Sequence, residues 1–333
     1  MITFGGVYFF TSGSTGIPKM IFHDVKTLTQ MVETFTLLYP RGVHYTTTPL
    51  TGLGSVQFLM LALHLESPYI IGGSLEKAIA QLSSSDIQAV IFTYPSLLIN
   101  YALSSDDHGC MPLLGEINLG GEPILETDTL TLSKIFGCKV RWAYGAAEVG
   151  PLAEGIGFQN GQAVYQPIKN YIQLQVRDSG GLNVLATVNT FNSAYVANNR
   201  LSYFGKNYHT GDVASVVSRN QFFIQDRGYK NIEDNQLIDR LNTQLNKLGK
   251  QYDTVFFRIV TVELDHQTTL RVICFARESE RYNDIVADLY CSIDSEALDV
   301  KCYSAPRLLQ NGKLDLQYYK TKSSVLEALE STE

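Results

Sequence analysis

The chain has 333 residues, of which 45% are hydrophobic and 18% are charged, and its formal net charge at pH 7 is −7. A chain of this length can bury a large core and is expected to form two domains. The acidic balance, without a long basic run, argues against nucleic acid as a partner. No apolar run approaches the roughly 20 residues that a membrane-spanning helix needs, so no membrane span is predicted.

The cysteines and the amino terminus indicate the compartment. The five cysteines are dispersed and form no Cys-x-x-Cys pair, which is typical of reduced thiols rather than of disulfides or a zinc site. The amino terminus is apolar but has no basic residue before Lys19, which argues against a signal peptide. The sequence therefore predicts a cytoplasmic protein.

The first half of the chain alternates predicted strands with predicted helices. Val7–Phe10 and Met20–Phe22 are predicted strands, and apolar residues at helical spacing predict a helix between a cap at Asp24 and Pro40. Further strands are predicted at 69–71, 89–93, 116–119 and 139–143, and further helices at 55–65, 75–82 and 128–136. This alternation predicts an α/β fold with a mostly parallel, layered sheet, whose ligands bind at the carboxyl ends of the strands.

The pattern changes after Ala163. Apolar residues alternate at period two in 171–176, 182–188 and 213–217, which predicts antiparallel strands of a small β-barrel-like part over 163–226. After Arg227, helices are predicted at 236–248, 285–293 and 325–329, and strands at 255–264, 270–276 and 300–303. We therefore predict a large N-terminal domain over 1–226 and a smaller α+β C-terminal domain over 227–333, with the boundary near 226–232.

The loop between the first two predicted strands is rich in hydroxyl side chains and glycine. Glycines let a backbone approach an anion closely, Ser and Thr hydroxyls donate hydrogen bonds, and a lysine supplies a point charge for phosphate oxygens. The spacing differs from that of P-loop NTPases, and a solvated Gly/Ser linker is the alternative. The pattern favours a phosphate site formed by Thr11, Ser12, Gly13, Ser14, Thr15, Gly16 and Lys19.

This loop resembles the phosphate loop of the adenylate-forming enzymes, which include acyl-CoA synthetases, luciferases and the adenylation domains of peptide synthetases. Further stretches resemble other motifs of that family, in the family's order. They are Leu119-Gly-Gly-Glu-Pro123, Tyr144-Gly-Ala-Ala-Glu148, Thr210-Gly-Asp212, and the stretch from Pro306 to Gly312-Lys313. Each alone has an ordinary alternative, namely a glycine turn, a solvated carboxylate or a hairpin tip. The interpretation that the chain resembles this family rests on the stretches occurring together in the family's order.

The resemblance implies roles for the residues around the base and the metal. Gly121 and Glu122 belong to the loop that flanks adenine. Tyr144 stacks on the adenine and is followed by Gly145, while Glu148 holds Mg²⁺. A carboxylate beside phosphate oxygens suits that hard cation.

The resemblance also implies roles for the residues around the sugar and the reacting atoms. Asp212 and Arg227 hold the ribose, and a carboxylate can accept from both ribose hydroxyls. Lys313 opposes the charge that develops as the acyl oxygen attacks phosphorus, a form of electrostatic preorganisation. The predicted catalytic residues are Lys313, Glu148 and Thr15.

The chain also departs from the family. Ala147 stands where the family has a threonine directed at the α-phosphate, and losing one neutral donor costs about 0.5–1.5 kcal/mol. The stretch 225–232 stands where the family has its hinge, and the resemblance implies a small, mobile C-terminal domain that swings there between an adenylating and a thioester-forming pose. Tyr229 and Lys230 occupy the two acidic positions of that hinge, so they do not support the implied swing. Family members carry further residues before the phosphate loop. The chain, which lacks this stretch, is therefore expected to be an unusually short member, a fragment truncated at its N-terminus, or a chain whose missing layer a second copy or a partner chain supplies. The strand at 4–10 would then expose apolar surface.

The resulting hypothesis is an AMP-forming acid–thiol ligase. ATP and an organic acid would give acyl-AMP and pyrophosphate, and CoA would then take the acyl group. No general base is required, because a carboxylate is already ionised at neutral pH. The small, apolar segments 48–56 and 143–149 are expected to line the acyl pocket and favour an aryl or fatty acid. The alternatives are an adenylation domain that loads a carrier protein, and a nucleotide-binding relative without catalysis.

Overall fold

The computed structural model describes residues 5–11, 19–39, 41–48, 50, 52–70, 74–83, 88–104, 115–168, 172–176, 181–186, 193–197, 200–205, 207–218, 220–225, 235–252, 254–264, 267–293, 298–310 and 312–321. The helix predicted at 325–329 lies outside these residues. Within them, no helix combines the length and the apolar character that crossing a membrane requires.

The helices are, in chain order, α1 (Val25–Leu38), α2 (Leu53–His64), α3 (Leu75–Ser83), α4 (Pro95–Ser104), α5 (Glu126–Phe136), α6 (Asn235–Gln251), α7 (Tyr282–Ser292) and α8 (Leu316–Thr321). The strands of the first half are β1 (Gly6–Thr11), β2 (Lys19–Asp24), β3 (Val43–Thr46), β4 (Tyr69–Ile70), β5 (Ala89–Thr93), β6 (Gly115–Gly120), β7 (Lys139–Ala146), β8 (Gly150–Gln159) and β9 (Gln162–Pro167). The later strands are β10 (Ile172–Val176), β11 (Gly181–Ala186), β12 (Ser193–Ala197), β13 (Arg200–Tyr203), β14 (Asn207–Ser218), β15 (Gln221–Gln225), β16 (Val255–Leu264), β17 (Gln267–Ala276) and β18 (Leu298–Tyr303).

The first helix begins where the sequence predicts. The Asp24 carboxylate accepts from the Thr27 backbone N–H at 2.7 Å, which satisfies one of the unpaired donors of the first turn. Leu28, Met31 and Phe35 form the buried face of α1. Pattern reasoning missed β3 and α4, although Pro95 at the first position of α4 is a helix-start signal.

The largest sheet has 11 strands in the order β10-β11-β14-β15-β9-β8-β7-β6-β5-β3-β4. Its β4-β3-β5-β6-β7 end is parallel, as predicted. From β7 to β10 every pair is antiparallel. The parallel part of the prediction is therefore confirmed, but the sheet as a whole is mixed and not mostly parallel. The physical reason is that β7 enters β8 through the tight turn 147–149, and parallel pairing needs a longer crossover.

The barrel-like part predicted over 163–226 is not a separate closed sheet among the described residues. Strands β9, β10, β11, β14 and β15 extend the 11-stranded sheet, and β12 and β13 join a second sheet of order β1-β2-β12-β13. Alternation at period two identifies a strand but does not specify which edge it pairs with. The hairpin of β1 and β2, which carries the predicted phosphate loop, is thereby paired through β2 with β12, a strand that is distant in sequence.

The C-terminal strands form a three-stranded sheet of order β16-β17-β18, which is buried on both faces. On one face, Phe257 and Val272 pack with α6 and α7. On the other face, Phe256 and Ile273 belong to the same apolar cluster as Leu132 of α5. The division into domains near 226–232 stays a prediction, because those residues lie outside the described ranges.

Among the residues that the structure describes, strand β1 is an edge strand of its sheet and pairs with β2 alone. Two of its aromatic side chains, Tyr8 and Phe10, are 53% and 57% exposed. The structure thus agrees with the expectation of uncovered apolar surface at this strand. What covers that surface stays a prediction.

Candidate functional site

Five of the nine predicted site residues that the structure describes lie at the end of β7 or in the loops that follow β6 and β7; they are Gly121, Glu122, Tyr144, Gly145 and Glu148. These strands are parallel neighbours, so their carboxyl ends meet at one edge of the sheet, where α/β proteins bind ligands. Thr11 and Lys19 are cross-strand partners at the ends of β1 and β2. Arg227 lies outside the described residues. So do the remaining predicted residues of the phosphate loop, which are Ser12, Gly13, Ser14, Thr15 and Gly16.

Tyr144 and Asp212 are brought together across the sheet. The Tyr144 hydroxyl donates to the Asp212 carboxylate at 2.5 Å. Three strands separate β7 from β14 in the sheet order, so the sheet must curve for this contact to form. Gly211, just before Asp212, has φ +77°, a conformation that favours glycine. Next to Tyr144, a Cβ added to Gly145 would lie 2.7 Å from the Gly150 carbonyl oxygen.

A second group of contacts links Glu148 to the base of the phosphate loop. Tyr195 of β12 donates its hydroxyl hydrogen to Glu148 Oε1 at 3.4 Å. Lys19 Nζ lies 5.6 Å from the centre of the Tyr195 ring, within cation–π range. Burial, together with the charge of Glu148, raises the pKa of Tyr195, so its hydroxyl remains a donor at neutral pH. Sequence reasoning missed Tyr195, because only strand pairing brings it here.

His23 anchors the turn that carries Glu148. Its side chain is fully buried, and Nε2 lies 2.7 Å from the carbonyl oxygen of Ala147. Burial lowers the pKa of His23 to about 4, against smaller opposing effects of the Ala147 carbonyl and Asp24. His23 is therefore neutral at pH 7, and Nε2 donates to the carbonyl. The Ala147 side chain packs against an apolar cluster that includes Phe9 and Met31, so this position is apolar where the family has a hydroxyl.

Because of His23, we expect the free energy of unfolding to be smaller in mild acid than at neutral pH. Its pKa is lower in the folded chain than in the unfolded chain, so its contribution to the free energy of unfolding is complete above about pH 6.5 and is lost as pH falls towards 4. The loss should reach about 3 kcal/mol by pH 4. Urea unfolding at pH 7 and pH 4.5 measures it. His23→Gln should show a smaller fall between these pH values than the wild type, whereas the exposed His64→Gln control should match the wild type. Equal falls in wild type and His23→Gln would contradict this assignment.

Lys313 lies at the tip of a hairpin-like loop that packs against the ends of β5 and β6. Leu309 N–H donates to the Lys313 carbonyl at 2.8 Å, and Gly312, with φ +86°, makes the turn. Lys313 Nζ lies 4.9 Å from the centre of the Tyr94 ring. A Cβ added to Gly121 would lie 3.3 Å from the same Nζ atom. The lysine is thus beside the predicted adenine loop.

Glu122 contacts backbone N–H groups on two other segments. Its Oε2 accepts from Ser96 N–H at 2.9 Å, and its Oε1 accepts from Leu314 N–H at 2.6 Å. The preceding residue, Gly121, has φ +77°, and a Cβ there would lie 2.9 Å from the Tyr94 ring. The loop therefore requires glycine at 121 for both conformation and space.

The two segments predicted to line an acyl pocket meet in the structure. Val56 and Ala147 pack against the same apolar cluster. Beside them, the buried hydroxyls of Thr48 and Ser55 form a hydrogen bond. A cavity of about 250 Å³ lies between the end of α1 and strands β6, β7 and β8. Ala143 of the second segment lines it, but none of the described residues predicted to bind the nucleotide does.

The described residues include no group of three or more His, Cys, Asp or Glu side chains that could hold a metal ion. Glu148 offers a single, partly exposed carboxylate. A single carboxylate fits Mg²⁺, which usually takes its remaining ligands from water and substrate phosphates.

Neither a family model nor a curated protein matches the chain. Solved structures do match. Benzoate CoA ligase from Burkholderia xenovorans LB400 has a TM-score of 0.69 at 13% identity, over 94% of this chain and 68% of that chain. Anthranilate CoA ligase AuaEII in complex with anthranoyl-AMP has a TM-score of 0.69 at 12% identity, over 94% of this chain and 67% of that chain.

ATP-bound MatB from Rhodopseudomonas palustris has a TM-score of 0.67 at 13% identity, over 94% of this chain and 67% of that chain. This chain thus spans about two thirds of the length of each of these proteins. At such low identity the likeness concerns the fold. The chain has the fold of the adenylate-forming acid–CoA ligases.

Proposed function

We propose that the chain activates a carboxylic acid with ATP, giving acyl-AMP and pyrophosphate, and that CoA then takes the acyl group. The observation that best supports this is the hydrogen bond between Tyr144 and Asp212, two residues 68 apart in sequence. Glu148, in the turn after β7, and Lys313, beside Gly121 after β6, add to this support. The relatives support it through their ligands, since MatB is ATP-bound and AuaEII holds anthranoyl-AMP.

In the proposed reaction, a carboxylate oxygen attacks the α-phosphorus of ATP. A bond forms between that oxygen and phosphorus, and the bond to the leaving pyrophosphate breaks. Lys313 opposes the negative charge that accumulates at the reacting centre, and Lys19 with the phosphate loop holds the leaving phosphates. Asp212, oriented by the Tyr144 hydroxyl, accepts from the ribose hydroxyls. Glu148 would hold Mg²⁺, which neutralises phosphate charge when bound.

In the second step, the thiol of CoA attacks the acyl carbonyl carbon and AMP leaves. An aryl or aliphatic acid is favoured over an amino acid, because Val56 and Ala147 present apolar surface in the proposed acyl pocket. The relatives named for benzoate and anthranilate fit an aryl acid.

The test is isotope exchange between pyrophosphate and ATP, measured with a panel of aryl acids, fatty acids and amino acids. We expect exchange that depends on an added aryl or fatty acid and is absent without acid. Absence of exchange with every acid would contradict the proposal. Formation of a CoA thioester from the same acid tests the second step.

Tyr144→Phe tests the role of Asp212. The change removes the hydroxyl that donates to the carboxylate, and a hydrogen bond to a charged group contributes about 1.5–3 kcal/mol. Asp212 would then hold the ribose less well, so we expect KM for ATP to rise at least about tenfold. Steady-state exchange kinetics measure this change. Tyr290→Phe, on the exposed side of α7, is the matched control and should leave KM unchanged. An unchanged KM in Tyr144→Phe would exclude this role.

A second candidate is a nucleotide-binding relative without catalysis. It is favoured by Ala147, whose side chain contributes to an apolar cluster instead of offering a hydroxyl to phosphate. Calorimetric binding of ATP, together with an absence of exchange for every acid, would select this candidate.

A further inference from the structure

We propose that Glu122 is a positioning residue that docks the Lys313 loop, residues 307–310 and 312–315, onto the carboxyl ends of β5 and β6. This inference rests on the proposed function, because its consequence for catalysis requires Lys313 to act on the reacting phosphate. The docking role differs from the role that the family resemblance implies for Glu122, which is to flank adenine.

The contacts of Glu122 argue for docking. Each of its two carboxylate oxygens accepts from a backbone N–H, one in the first turn of α4 and one in the Lys313 loop. The first-turn N–H groups of a helix have no partner within the helix, and the helix dipole favours negative charge there. The second donor, Leu314, is separated from Glu122 by 192 residues in sequence. One carboxylate therefore joins β6, α4 and the Lys313 loop.

The same contact fixes the position of the lysine. Leu314 follows Lys313 directly, and its side chain is only 6% exposed. On the other side of the loop, Gly312 packs near the Tyr94 ring, over which Lys313 Nζ lies at 4.9 Å. The hydrogen bond from the Leu314 N–H to Glu122 thus fixes the backbone next to Lys313, and the Tyr94 ring lies against the end of its side chain. Burial, followed by the charge of Glu122, raises the pKa of Tyr94 to about 12, so the ring remains neutral beside the lysine.

A charged acceptor suits this position better than a neutral one. Two N–H groups point at one side chain, and a carboxylate can accept from both without offering a donor of its own. A glutamine has one acceptor oxygen, and its amide nitrogen would face the other N–H. Glu122→Gln therefore keeps the volume of the side chain but breaks one of the two contacts.

Hydrogen–deuterium exchange of the Leu314 amide tests docking without any enzyme activity. We expect the exchange to be about tenfold faster, or more, in Glu122→Gln and in Glu122→Ala than in the wild type. Glu126→Gln is the matched control. Glu126 also contacts the C-terminal part, through Asn246 and Lys250, and among the described residues its hydrogen bonds do not involve the Lys313 loop. Equal protection of Leu314 in wild type and both Glu122 variants would overturn the proposal.

A mutant cycle with Lys313 tests the consequence for catalysis. In otherwise wild-type protein, Glu122→Gln should lower kcat for pyrophosphate exchange about tenfold or more and change KM for ATP by less than about twofold. In the Lys313→Ala background, the same change should have no further effect, because the lysine that it positions is gone. Multiplicative losses, or a rise in KM alone, would overturn the positioning role.

The two readouts separate this inference from the proposed function. If the wild-type chain shows no exchange with any acid, the proposed function fails, and the protection of the Leu314 amide still decides whether Glu122 docks the loop. If exchange occurs but Leu314 is equally protected in all variants, the docking proposal fails by itself.

Discussion

Lys313→Ala is expected to reduce acid-dependent pyrophosphate exchange by about 100- to 1,000-fold, as when other preorganised charge-stabilising groups are removed. The lysine would oppose charge that develops mainly in the transition state, so the loss should fall on kcat more than on KM for ATP. Initial rates of exchange at saturating and limiting ATP measure both quantities.

The control for this variant is Lys247→Ala, which removes an exposed lysine of α6. It should keep wild-type exchange, and both variants should unfold at the temperature of the wild type. Exchange in Lys313→Ala within about threefold of the wild type would contradict the role proposed for this lysine.

Arg258→Met is expected to destabilise the chain by about 3–5 kcal/mol. Arg258 of β16 and Asp128 of α5 form an ion pair at 2.8 Å, with side chains 6% and 0% exposed. Removing the guanidinium leaves a buried carboxylate without its cation. Burial already raises the pKa of Asp128, and Arg258 opposes that rise. Without Arg258 the folded-state pKa rises further, so the destabilisation is full at neutral pH and becomes smaller as pH falls and Asp128 takes up a proton. Chemical denaturation at pH 7 and pH 5 measures both effects.

Lys250→Met is the matched control, because Lys250 also joins the C-terminal part to α5, in an exposed pair with Glu126 at 3.4 Å. It should cost no more than about 1 kcal/mol. Adding Asp128→Asn to Arg258→Met should recover part of the stability, since the buried charge is removed. A loss below about 1 kcal/mol in Arg258→Met would show that the pair does not hold the two parts together.

This ion pair also bears on the swing that the family resemblance implies for the C-terminal part. A movement that separates β16 from α5 has to break the pair and expose apolar residues such as Phe256, which share a cluster with Leu132. Any thioester-forming pose reached in this way must restore comparable contacts. Burial of these apolar residues therefore favours the docked arrangement, in which Lys313 lies beside Gly121.

Local features were predictable from the sequence. The Asp24 cap, the buried face of α1 and the bounds of β5 follow from residue type and spacing over a few turns or pleats. The meeting of loops at the ends of β6 and β7 follows from the alternation of strands and helices.

Long-range pairing was not predictable in the same way. Tyr195 reaches Glu148 only because β12 pairs with β2, and Glu122 reaches Leu314 across most of the chain. The mixed sheet arises because β7 reverses directly into β8. Spacing reports the periodicity of a segment but carries no information about its partner, so these contacts required the structure.

The most direct measurement of the central claim follows one oxygen atom. The chain is incubated with ATP and a carboxylic acid labelled with oxygen-18 in its carboxylate, and the recovered AMP is analysed by mass spectrometry. We predict AMP that carries one labelled oxygen, because the acid's oxygen bonds to the α-phosphorus and stays with AMP when water or CoA attacks the acyl carbon. Unlabelled AMP, or ADP as the product with the label in phosphate, would contradict adenylation.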